Sequence, residues 1–187
     1  MSKVAVTLVL LTLVVVGAYF FYAAPADAPT VPVDTGEIYT NTKHGISFTY
    51  PNTYVLEERE VGNGERWHDN VTLMDREAAV NIPQNGEGPP TITIDFFQNN
   101  LDTQTAGDWV KNDSRSNFKL SPDGELVLTT IAGKEAFTYA WDGLYRGQSI
   151  VFAHKDAIVM YSVTYLTPAD QIVSDSINVF ESIQLLE

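Results

Sequence analysis

Residues 125–165, ELVLTTIAGKEAFTYAWDGLYRGQSIVFAHKDAIVMYSVTY, decide the fold. Apolar and polar residues alternate along four stretches, 125–131, 135–141, 148–154 and 157–165. A period of two marks half-buried strands, because successive side chains leave a strand on opposite faces. Phe137, Tyr139 and Trp141 share one face of the second stretch, and Val159, Tyr161, Val163 and Tyr165 share one face of the fourth. The breaks between stretches are Ala132-Gly133, Asp142-Gly143 and Lys155-Asp156. Connections this short join neighbours running in opposite directions, so the segment predicts an antiparallel meander.

Helical signals lie on both sides of the meander. After it, Thr167 reads as an N-cap, Pro168 as the first helical residue and Asp170 as a carboxylate near the helix N-terminus. Val173, Ile177 and Phe180 then recur at helical spacing, and 183–186 reads as a closing strand. Before the meander a helix is expected over 105–118. Thr105 and Asp108 resemble a capping box with a shorter acid, and Trp109 and Val110 supply an apolar side. Further upstream Ile46, Phe48 and Tyr50 alternate with Ser47 and Thr49 until Pro51-Asn52. Residues 54–59 and 71–74 read as short strands, 60–70 as a polar stretch, 81–90 (NIPQNGEGPP) as loop, and Ile92, Ile94 and Phe96 alternate again. A meander with helices supplied from both flanks predicts an α+β fold, an antiparallel sheet covered by helices.

The segment Gly45-Ile46-Ser47-Phe48-Thr49-Tyr50-Pro51, with Tyr54 soon after, resembles the glycine-aromatic-proline start of PsbP-like domains. The helix containing Asp108-Trp109-Val110, the aromatic meander and the closing Phe180-Glu181-Ser182-Ile183 follow in the same order, so the resemblance spans residues 39–186. Tyr54 stands where many PsbP-like domains carry tryptophan. The resemblance implies an α/β/α sandwich around a central antiparallel sheet, acting as an accessory or binding module rather than an enzyme. It adds more to the fold than to the function.

Residues 4–24 form a nearly unbroken apolar run without a charge. At about 1.5 Å of rise per residue a helix of that length reaches roughly 30 Å, the thickness of a bilayer's hydrocarbon core. A core helix would show a polar stripe, and this run shows none. Candidate signal cleavage points after Ala24 and Ala28 are each followed by proline, a poor fit to an extended peptide in a protease groove. The run therefore reads as a retained single-pass transmembrane helix. Lys3 keeps the N-terminus cytoplasmic, while Asp27, Asp34 and Glu37 follow with no basic residue before Lys43, which places the C-terminal domain outside the cytoplasm. Residues 25–36, beginning PADAPTVPVDT, read as a proline-rich tether, leaving 37–187 as one PsbP-like extracytoplasmic domain.

The chain carries 24 acidic and 11 basic residues, a net charge of −13, which repels phosphate backbones and sets nucleic-acid binding aside. It contains no cysteine, so neither disulfides nor a lipidated cysteine contribute. Acidity of this kind keeps an exported domain soluble. His44, His68 and His154 show no metal-ligand spacing, and His44 and His154 read as solvated or turn-stabilising. No G-x-S-x-G elbow and no glycine-rich phosphate loop occurs. The sequons Asn70-Val71-Thr72 and Asn112-Asp113-Ser114 matter only in a eukaryotic secretory setting.

The sharpest candidate is the stretch 57–69. Glu60, Glu65, Trp67, His68 and Asp69, with Glu57 and Glu58 beside them and Gly62 and Gly64 as loop formers, suit recognition of a protein partner. Two alternatives stand beside it: Trp67 folds back as core, or the carboxylates hold a cation, although the spacing matches no calcium loop. These residues predict a membrane-anchored accessory module with an unknown protein partner, no cofactor and no catalytic activity. The competing classes are a carboxylate-dependent hydrolase and a structural or adhesive surface protein.

Overall fold

The computed structural model describes residues 36–62, 65–82 and 87–187. Strand β9 (Ala157–Tyr165) takes the middle because AIVMYSVTY is buried on both faces from its first residue to Val163. It pairs antiparallel with β8 (Arg146–His154) on one side and β5 (Thr91–Gln98) on the other. Beyond β8 come β7 (Lys134–Asp142) and β6 (Val127–Ile131); beyond β5 come β4 (His68–Asp75) and β3 (Tyr54–Glu60). The result is a seven-stranded sheet, antiparallel throughout, in the order β3-β4-β5-β9-β8-β7-β6. The meander emerged as its spacing predicts. Ala132 and Gly133 both adopt positive φ, 46° and 79°, the geometry of a two-residue hairpin whose twist matches its strands.

A separate three-stranded sheet, β1 (Glu37–Asn41), β2 (Ile46–Tyr50) and β10 (Gln184–Leu185), joins the two ends of the domain. It packs with helix α3 (Gln171–Glu181) over one face of the large sheet, burying Ile46, Phe48, Ile92, Ile94, Phe96, Val159, Tyr161 and Val179 in one core. The opposite face is covered at β7 and β8 by helix α2 (Ala106–Asn112) and two 3-10 turns, Ser114–Ser116 and Phe118–Leu120. There Phe97, Trp109, Val110, Tyr139, Val151 and Ile158 form a second core. Helices on both faces of an antiparallel sheet are what the sequence predicts; the extra sheet beside α3 is not. A single-turn helix α1 (Arg76–Ala79) follows β4, capped by Asp75.

Several boundaries differ from expectation. The polar stretch 60–70 is strand at both its ends, since β3 runs to Glu60 and β4 begins at His68. Pairing across that ladder overrides weak local propensity. Thr105 does cap α2, accepting from the Asp108 amide at 3.1 Å, but the helix stops at Asn112. Asp113 then accepts from the Arg115 amide and opens a 3-10 turn instead. At α3 the cap position belongs to Asp170, not Thr167. Thr167 and Pro168 form a preceding turn, closed by the Asp170 carboxylate accepting from the amides of Leu166 and Thr167, each at 2.9 Å. Moving the start by that much rotates the buried face onto Ile172, Ser176 and Val179, and Ile177 is 45% exposed.

The segments read as anchor and tether lie outside the described residues, Gly36 excepted. Among the described residues no helix is long and apolar enough to cross a membrane.

The two isoleucines test this packing. Ile94→Ala removes a fully buried side chain from the larger core and is expected to cost about 2–5 kcal/mol in urea unfolding. Ile177→Ala is expected to change stability by no more than about 0.5 kcal/mol.

Candidate functional site

The five residues singled out between 60 and 69 do not form one surface, and the strand period explains why. His68 and Asp69 are consecutive on β4, so their side chains leave on opposite faces of the sheet. Glu60, the register partner of Asp69, belongs with it on the face of the larger core. Glu65 is exposed in the connection between β3 and β4. Trp67 is half-buried and packs against the larger core, so the core alternative holds for much of its ring. The indole lies 5.1 Å from the His44 ring and under the Lys43 ammonium, 5.5 Å from its centroid.

On that face Asp69 accepts from Lys43 Nζ and from His44 Nε2, both at 2.6 Å. His44 is 5% exposed and stacks on Phe96 with ring centroids 4.2 Å apart, so it is not the solvated residue the sequence suggests. His154 is likewise buried, its Nε2 donating to the Gly45 carbonyl at 3.0 Å. His44 lies against Trp67 and Phe96, and His154 meets the backbone at Gly45 just before β2; no local pattern in the sequence announces either contact. Burial would raise Asp69, but the hydrogen bonds from Lys43 and His44 outweigh it and hold the carboxylate below its usual range. Glu58, which accepts from Tyr39, lines a hollow of about 240 Å³ together with Glu60 and Asp69.

The other face carries a larger open groove of about 260 Å³. Its floor is the polar half of β5 and β9: Thr91, Thr93 and Asp95 alternate with the buried Ile92, Ile94 and Phe96, and Ser162 and Thr164 lie beside them. Asp95 Oδ1 accepts from His68 Nε2 at 2.7 Å and from Asn70 Nδ2 at 2.9 Å. Thr72 donates to Asn70 Oδ1 at 2.7 Å, which fixes that amide. On the rim, Arg115 donates from Nε and Nη2 to Asp113 at 2.8 and 2.6 Å while its guanidinium sits 4.6 Å from the Phe97 centroid. The Asp113 bonds raise the guanidinium further, and the Arg115 bonds outweigh burial to hold Asp113 low.

Trp141 closes one end. It faces Gly147 across the β7–β8 ladder, and a Cβ placed at Gly147 would collide with three atoms of the indole, Cζ2, Cε2 and Cη2. Only glycine lets the ring lie flat on the strand there. The indole N–H donates to Ser149 Oγ at 3.0 Å, and Ser149 is 2.8 Å from Ser162 Oγ, so both buried hydroxyls are satisfied. The alternation that hides Ile92 and Ile94 exposes Thr91, Thr93 and Asp95 by the same rule; that signal was present in the sequence. The inward reach of Arg115 and Asn117 was not, because it depends on the 3-10 turns that replace the end of the expected helix.

Among the described residues no group of three or more histidines and carboxylates is placed to hold a metal ion. The groove is lined by a single carboxylate, Asp95, in company with donors and hydroxyls. Its lining offers both hydrogen-bond donors and acceptors.

The buried imidazoles give the fold a pH dependence of known sign. Burial holds His44 and His154 below the ordinary histidine value of 6.5, against the opposing pull of Asp69 on one and of the Gly45 carbonyl on the other. An unfolded chain protonates these rings near pH 6.5 and the folded chain resists. Their contribution is therefore full above that pH and declines as acidity carries the solution down through the lower folded values. His44→Gln, which keeps a donor for Asp69 without titrating, is expected to flatten the fall in melting temperature between about pH 7 and 5 relative to the unmodified chain. Parallel slopes in scanning calorimetry would remove His44 from this account.

The solution structure of cyanobacterial PsbP (CyanoP) from Synechocystis sp. PCC 6803 is similar to this chain, with a TM-score of 0.53 and 15% identity over 86% of this chain and 98% of that one. A crystal structure from Bacteroides thetaiotaomicron VPI-5482 aligns at a TM-score of 0.46 and 12% identity over 82% of this chain and 49% of that one. No family model matches the sequence, and no curated protein matches it. At this level of identity the likeness is one of fold alone: the described domain has a PsbP-like fold built on a large antiparallel sheet.

Proposed function

We propose that this chain is a membrane-anchored, extracytoplasmic accessory module that works by binding a protein partner, without catalysis, and that residues 4–24 hold it in the bilayer. The observation carrying this reading is the contrast between the two edges of the large sheet. Edge strand β3 ends in Glu57, Glu58, Arg59 and Glu60, charges that discourage another chain from pairing. Edge strand β6, VLTTI, has no charge and no proline, and Leu128 is 62% exposed on it. An uncharged open edge offers backbone donors and acceptors to an extended segment of a partner.

A carboxylate hydrolase is the weaker reading. It needs two acids facing one cavity, one of them kept protonated. The groove has Asp95 alone, and of the three acids lining the smaller hollow, Glu58, Glu60 and Asp69, Asp69 is displaced in the direction that favours its charged form. The apolar run, its flanking charges and the PsbP-like fold support the anchored, extracytoplasmic placement.

In-cell photocrosslinking from position 130, exposed on the same strand as Leu128, tests the reading in the anchored chain. One dominant protein neighbour is expected, lost in Leu128→Asp while the melting temperature and membrane fractionation are unchanged. Recovery of the same neighbour from Leu128→Asp, together with its loss from Trp67→Ala, would move docking to the β3–β4 connection. An intact chain recovered from the cytosol, with its first residues present, would overturn the anchor.

A further inference from the structure

We propose that the groove between Trp141 and Arg115 is a binding site for the ring of a neutral saccharide. Its polar groups are arranged with capacity left over. Asp95 spends Oδ1 on both His68 and Asn70, so Oδ2 remains as an acceptor at the floor. Arg115 spends Nε and Nη2 on Asp113, leaving Nη1 as a donor at the rim. The Thr93 hydroxyl and the Asn117 amide line the groove, and Asn117 makes no side-chain cap bond to the turn it precedes. A ligand rich in hydroxyls, each both donor and acceptor, matches a mixed set of this kind.

Charge excludes the other small-ligand classes. An anion would meet Asp95 at the floor and a chain of net charge −13, with the lining guanidinium of Arg115 already paired to Asp113. A cation would meet Arg115 and find a single carboxylate, short of the oxygen set a hard cation needs. What remains is a neutral, polar ligand with one apolar face. Trp141 supplies the surface for that face. Its ring is held flat against Gly147 and pinned through its N–H to Ser149, so its position costs nothing to organise when a ligand arrives. The volume, about 260 Å³, falls just under the roughly 300 Å³ at which small-molecule pockets begin, which suits one sugar ring rather than a long chain.

The site lies on the face of the sheet and does not depend on the β6 edge. Ligand-observed saturation-transfer NMR on the full chain in lipid nanodiscs tests it. The probes are glucose, galactose, N-acetylglucosamine and their disaccharides, with methyl phosphate and adenosine as comparisons. Saturable transfer to the ring C–H protons of at least one neutral sugar is expected. Thr93→Val, which preserves shape, and Asp95→Asn are expected to weaken it about five- to tenfold. Leu128→Asp should leave it unchanged, so that failure of partner docking and failure of sugar binding are read separately. Absence of saturable transfer from every sugar would overturn the proposal. So would equal transfer in both groove variants, or stronger binding of methyl phosphate or adenosine that the same variants abolish.

Discussion

Burial of β9 on both faces is the constraint on which the molecule rests. A strand that presents Val159, Tyr161 and Val163 to one side and Ile158 and Met160 to the other cannot lie at an edge or face water. It needs a partner strand on each flank and a covering layer above and below. Strands β5 and β8 meet the first need, and α3 with the small sheet, opposed by α2 with its 3-10 turns, meet the second. Complete burial of a large aliphatic or aromatic side chain contributes about 1.5–3 kcal/mol, so shielding this strand outweighs any single surface interaction.

The covering layers are unequal. One face is closed by α3 and the strands β2 and β10, and there even the imidazoles of His44 and His154 are buried. The other is closed only in part. Where α2 ends at Asn112, the sheet changes from apolar to hydroxyl-bearing: Thr91, Thr93, Ser162 and Thr164 replace the residues a helix would have covered. Polar side chains beyond the reach of the helix keep that part of the sheet wet, and Arg115 and Trp141 bound it.

Much of this architecture was legible from alternation alone. The four strands of the meander, their reversals, the cap at Thr105 and the closing helix follow from local rules acting over a few residues. What escaped was set by distant chain. The three-stranded sheet needs β10, two residues long, to pair with β2 across nearly the whole domain. The strand character of His68 to Asn70 comes from β5 rather than from its own residues, and it separates His68 from Asp69 although they are adjacent. A cluster read along the chain thus became two clusters on opposite faces. The partners that complete them, His44 with Asp69 and Asp95 with His68, lie 25 and 27 residues away. The threonines of β5 were visible all along as the other half of a pattern read for its isoleucines.

Amide hydrogen exchange on the purified chain tests the central picture most directly, a sheet sealed at its middle and open at one edge. The amides of β9 and β5 should be the slowest to exchange, near the limit set by global unfolding, while the outward-pointing amides of β6 should exchange orders of magnitude faster. Equal protection of β6 and β9, or rapid exchange throughout β9, would contradict it.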